Sequence, residues 1–146
     1  MDHQLIARIS LAILCGLQGT ATAVIDLGRT HATHPAWPGH ARFHVVWQTA
    51  NSLLLSIFAI VLISMNDPLA TYRFDIAAVL AGAPMLGFFI TYFTRKVYCA
   101  TLSDPQGMPP WIVRGPGLQF RIDLNLVAEI VGLASLAAII ELYRAP

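Results

Sequence analysis

Four of the five histidines fall between positions 31 and 44. His31, His34, His40 and His44 share this segment with Trp37, Arg42, Trp47 and Gln48. Imidazole can ligate a transition metal, or carry a proton near neutral pH. His40, His44 and Gln48 recur at i, i+4 and i+8, so a helix beginning near His40 sets them on one face. Two histidines one turn apart can hold one ion, as in helical zinc sites. With His34 or His31, and Asp26 or Glu129, as further ligands, the set would suit Zn or Fe. Haem is not expected. Bis-histidine ligation draws on separated helices, and only one helix here offers a histidine near a membrane.

Metal-free acid/base chemistry uses the same residues differently. Asp26 ends the first apolar stretch, Asp123 and Asn125 open the last, and Glu129 lies more than one turn into it. A His–carboxylate pair in a low-dielectric pocket can move protons on an apolar substrate. Trp37, Trp47 and Trp111 can stabilise a cationic intermediate through their ring faces. Arg42 and Arg95 are candidate clamps for an anion or headgroup. The assignments expected from these patterns are His40, His44, Glu129 and Asp123 for catalysis. Arg42, Trp37, Trp47, Gln48, Asn125 and Arg95 are expected to bind substrate, and His34, His40, His44 and Asp26 to hold metal. A structural role competes with both chemistries, since Trp, Tyr, His and Arg also serve as interfacial anchors.

Elements must hold these residues in place. The chain has 146 residues, 56% of them hydrophobic and 12% charged, with mean hydropathy +0.63. A soluble domain carries a charged fraction of about 25%. A helix crosses about 30 Å of hydrocarbon in roughly 20 residues. Four such runs occur, at about 5–25, 44–65, 75–94 and 124–143. Backbone groups in lipid must bond internally, so each run is expected to be a helix. The fold class expected is all-α: one integral-membrane four-helix bundle filling residues 1–146. The first run is too long for the apolar core of a signal peptide and is followed by no small-residue cleavage site, so it is read as a retained helix.

Four crossings put the His-rich loop 26–43 and the long Pro/Gly-rich loop 95–123 at one end of the bundle. This is called the loop end here, and the other the terminal end. In the second loop, Asp104-Pro105, Pro109-Pro110 and Gly115-Pro116-Gly117 oppose regular helix. Trp111-Ile112-Val113 is apolar enough to dip into the membrane interface, and the loop is read either as a lid over a site or as a plain solvated connector. Asn66 to Phe74 forms the short opposite loop, with Asp67-Pro68 as its turn. Gly82, Pro84 and Gly87 in the third run are expected to kink it, either as a packing kink common in membrane helices or so as to open a cavity toward the loop end. Gly16/Thr20, Gly19/Ala23 and Ala128/Gly132 permit close helix approach, within the bundle or in a homo-oligomer. Cys15 and Cys99 are too far apart along the bundle for a disulfide and are read as packing residues.

Net charge of +1 and scattered basic residues argue against nucleic acid as a partner. The loop end carries Arg29, Arg42, Arg95, Lys96, Arg114 and Arg121, against Arg8, Arg73 and Arg144 at the terminal end. That asymmetry favours a cytoplasmic loop end.

The run His34-Pro35-Ala36-Trp37-Pro38-Gly39-His40-Ala41-Arg42-Phe43-His44 resembles a motif of small four-helix membrane proteins, in which a similar W-P-x-H-A-R-F-H segment follows the first helix. That resemblance implies the four-helix layout and brings no activity with it. At the level of architecture alone, the chain is similar to the sterol-isomerase and sigma-2-receptor type of membrane protein, which implies acids, His and aromatics around a cavity for sterol-like or cationic amphiphilic ligands. The function expected is a small membrane enzyme acting on an isoprenoid, sterol-like or acyl substrate. The alternative is a non-catalytic binder of membrane lipid or a hydrophobic small molecule, or an accessory subunit of a membrane complex.

Overall fold

The computed structural model describes residues 2–65, 67–104 and 108–146. Its helices are α1 (His3–Asp26), α2 (Gly39–Ser64), α3 (Ala70–Thr94) and α4 (Leu124–Arg144). All four are long and apolar enough to cross a membrane, consistent with a multi-pass membrane protein. They pack in chain order around a ring, with α4 returning to α1.

Local chemistry sets the ends of the helices. The Asp2 side chain accepts a hydrogen bond from the Gln4 N–H at 2.9 Å and caps α1. Asp123 caps α4 by accepting from the Leu126 N–H at 3.1 Å. α2 begins at Gly39 rather than 44, because Pro38 stands just before the helix and its carbonyl accepts from the Arg42 N–H at 3.1 Å. α3 begins at Ala70 rather than 75. Its polar first turn, Thr71 to Arg73, hides the start from a hydropathy window. Before it, the Leu69 N–H and the Arg73 guanidinium bond Asp67 and hold its carboxyl below the usual range. Asn66 and Pro105 lie outside the described residues.

The closely packed core sits at the terminal end. Ala7, Leu11 and Cys15 of α1 meet Ala59 and Ile63 of α2 there, with Phe74, Ala77, Ala78 and Ala81 of α3 and Leu136, Ile139 and Tyr143 of α4. Small side chains let the backbones approach, which is how helices gain contact when lipid is as apolar as their own side chains. A Cβ on Gly19 would stand 2.8 Å from Ser56 Oγ, and one on Gly132 3.0 Å from Met85 Cε. The Phe74 and Tyr143 rings stack with centroids 3.8 Å apart. Arg8 reaches across to the end of α2 and donates to the Ile63 carbonyl at 3.1 Å and the Met65 carbonyl at 3.0 Å. Those carbonyls have no donor within the helix. Arg144 pairs with Asp75 at 2.8 Å.

Loop 95–123 differs from expectation. A short 3-10 turn (Arg95–Tyr98) extends α3, and a hairpin pairs β1 (Trp111–Gly115) with β2 (Leu118–Ile122). Pro116 and Gly117 form the tip, and Gly117 has φ +72°. Pro followed by a positive-φ Gly is the turn chemistry that reverses a chain. The strands pack mainly on each other, and both stand exposed along nearly their whole length. Cys15 is buried as expected, but Cys99 is exposed, in a left-handed conformation after the 3-10 turn.

Candidate functional site

A cavity of about 960 Å³ occupies the loop end of the bundle, where the small-residue core gives way. Each helix lends it one stripe at three- and four-residue spacing. α1 gives Leu14, Gln18, Thr22 and Asp26, and α2 gives Gln48, Asn51, Ser52 and Leu55. α3 gives Pro84, Gly87, Phe88 and Thr91, and α4 gives Asn125, Glu129, Gly132 and Ser135. His31 enters from the α1–α2 loop. Met85, Leu17 and Val131 add to an apolar wall. α3 runs helical through Pro84, and both Pro84 and Gly87 line this space.

The polar groups are two acids, one imidazole, amides and hydroxyls. Among the described residues no Lys or Arg lines the cavity. Asp26 is half-buried. Its carboxylate lies 3.9 Å from His31 Nδ1 and 3.5 Å from the Thr49 hydroxyl, which is also 2.8 Å from the Val45 carbonyl. His31 Nδ1 contacts the Thr30 hydroxyl at 2.9 Å. The Trp37 ring packs against the imidazole edge-to-face, with centroids 5.3 Å apart. Glu129 is half-buried on α4, and its carboxylate forms no hydrogen bond or ion pair with any described residue. A carboxylate at membrane depth is costly without a partner. Its natural partners are a proton, water in the cavity or a bound molecule.

Of the expected site residues, Asp26, Gln48, Asn125 and Glu129 line the cavity. His40 and His44 do not: they stand on the exposed outer side of α2, Nε2 to Nε2 at 3.1 Å, in a ring cluster with Phe43 and Trp47. One face of α2 was expected to hold His40, His44 and Gln48 together. In the structure Gln48 lines the cavity, while His44 and His40, one and two turns nearer the loop, stand outside it. Asp123 is a helix cap. Arg42 donates to the carbonyls of Trp37 at 3.0 Å, His34 at 2.8 Å and Pro35 at 3.2 Å, so its guanidinium ties the loop to the start of α2. Arg95 lies over the Tyr92 ring, 4.1 Å from its centroid, and donates to the Tyr92 carbonyl. Trp37 touches the site only through His31. His34 Nδ1 accepts from the Ala36 N–H at 3.2 Å.

The proposed metal ligands His34, His40, His44 and Asp26 do not gather. Among the described residues no three of His, Cys, Asp or Glu stand close enough to enclose one ion. The residues missed by sequence reasoning are Gln18, Thr22, Ser52 and Ser135, while His31, weighed there as an alternative ligand, lines the cavity. Gln18, Thr22 and Asp26 form an i, i+4, i+8 row on the first helix, the same signal that drew attention to the second.

Comparison with protein-family models, curated proteins and solved structures finds no match to this chain.

Proposed function

We propose that this is an integral-membrane protein whose loop-end cavity takes a lipid-like molecule by its polar end, and that Glu129 and the Asp26–His31 pair exchange protons with that end. The composition of the cavity wall carries the reading: apolar residues on four helices, two carboxylates, and no Lys or Arg among the described lining residues. Such a wall suits an apolar body with a head that donates hydrogen bonds. An alcohol or an amine fits, whereas a phosphate or carboxylate head would meet like charge without a compensating cation. Among the substrate classes expected from sequence, isoprenoid and sterol-like alcohols therefore stand ahead of acyl anions. The proposal is built on the carboxylates rather than on the scattered His34, His40 and His44. The surplus of Arg and Lys at the loop end supports a cytoplasmic loop end on this reading.

Dodecanol, dodecylamine and dodecanoate share one chain and differ in head, so they test it directly. In lipid nanodiscs the alcohol and the amine are expected to raise the unfolding temperature, and dodecanoate to leave it unchanged. Glu129→Gln should weaken dodecylamine roughly tenfold to a hundredfold, the worth of one charge-assisted hydrogen bond. Equal binding of all three heads would sink the proposal.

A further inference from the structure

The β1–β2 hairpin carries an apolar face that stands largely exposed among the described residues. Residues directly opposite in an antiparallel pair share a face. The register Trp111↔Ile122, Val113↔Phe120 and Gly115↔Leu118 therefore gathers Trp111, Val113, Leu118, Phe120 and Ile122 on one side. Ile112, Arg114, Gln119 and Arg121 form the other. Trp111 is 61% exposed, Leu118 61% and Phe120 57%. A two-stranded hairpin alone is marginal in water, so a face of this composition calls for a covering phase.

We propose that the covering phase is the membrane: the hairpin lies in the interface of an anionic leaflet. Trp111 and Phe120 sit at the boundary of headgroups and acyl chains, and Arg114 and Arg121 bind lipid phosphates. Three observations support this choice of partner. β2 ends at Ile122 and α4 begins at Leu124, so one residue joins the hairpin to a membrane-length helix and it cannot rise far from the surface. Its apolar face has the aromatic content of a membrane-interface belt. Its opposite face carries two arginines and the hairpin holds no acid, which complements phosphate. The inference rests on the helices being membrane spans and is independent of what the cavity binds.

Full-length protein in nanodiscs tests it, with phosphatidylcholine alone or mixed with phosphatidylglycerol. In a Trp37→Phe/Trp47→Phe variant, Trp111 is the sole indole. Its emission should be blue-shifted and quenched by lipids brominated near the headgroup more than by lipids brominated deep in the chain. A spin label on Leu118→Cys, in a Cys99→Ser background, reads the same face without touching tryptophan. It should be accessible to oxygen and shielded from an aqueous nickel chelate. Arg114→Glu and Arg121→Glu, each a change of two charges, should lower the immersed-to-exposed ratio roughly thirtyfold in the anionic bilayer and leave it unchanged in phosphatidylcholine. A label open to nickel in both lipids overturns the proposal. So does a label shielded from both reagents, which would mean that protein covers the face, and so does charge reversal without effect.

Discussion

At the scale of single residues, the structure separates side chains that share a composition-rich segment but not a role. Glu129 and Asp26 face the cavity; His40 and His44 face outward. Alanine at both histidines is therefore expected to leave alkylamine binding within about twofold of wild type, while Glu129→Gln weakens it as above. Side-by-side titrations of these variants check the division. Arg42 is assigned to structure, since its guanidinium bonds three carbonyls of the loop. Arg42→Ala should lower stability by about 1–3 kcal/mol in a thermal or detergent unfolding assay. Lys should not restore it, because one ammonium cannot reproduce a planar fork of donors. The acids of the site were legible in the sequence because ionisable groups are rare inside apolar runs. His31 was legible only as one ligand option among several, because nothing in a loop sequence says which imidazole turns inward.

At the scale of elements, hydropathy found the four helices, but placed two starts five residues late. Polar first turns cost a window average more than they cost a helix. The hairpin was hidden for a different reason. Gly115-Pro116-Gly117 reads equally well as loop or as strand reversal, and the alternation of Trp111, Val113, Phe120 and Ile122 had to be seen across the turn to favour strands. Helix packing gives the sharpest prediction at this scale. A methyl on Gly19 would meet both Oγ and Cβ of Ser56, at 2.8 and 2.9 Å. Gly19→Ala should cost about 1–3 kcal/mol. Only glycine at position 56 removes both obstructing atoms, so Ser56→Gly should recover part of the loss where Ser56→Ala does not. A double-mutant cycle measured by unfolding reads this coupling directly.

At the scale of the whole molecule, the bundle is closed at one end and hollow at the other. The terminal end is filled by alanines, stacked rings and the Arg8 and Arg144 contacts. The loop end keeps space between stripes that mix polar and apolar residues. Sequence alone could place polar groups at one end, but not show that the helices leave room there, since room depends on the relative rotation of four helices. Sidedness is testable through the two cysteines. Cys99 is exposed beyond α3 and Cys15 is buried. A membrane-impermeant maleimide should label Cys99 only after the cytoplasmic face is opened, and should leave Cys15 unmodified in intact protein. Labelling from the outside would reverse the orientation.

The central claim is that the loop-end cavity holds an amphiphile. Gly87 lines the cavity and a Cβ there meets nothing within 4 Å, so Gly87→Phe should project a ring into the space and obstruct an occupant. The decisive measurement is mass spectrometry of hydrophobic molecules extracted from mildly purified wild type and Gly87→Phe protein, both confirmed folded by circular dichroism. The account predicts a lipid-like alcohol or amine retained by wild type and lost from Gly87→Phe. The same molecules in the same amounts from both proteins would contradict it.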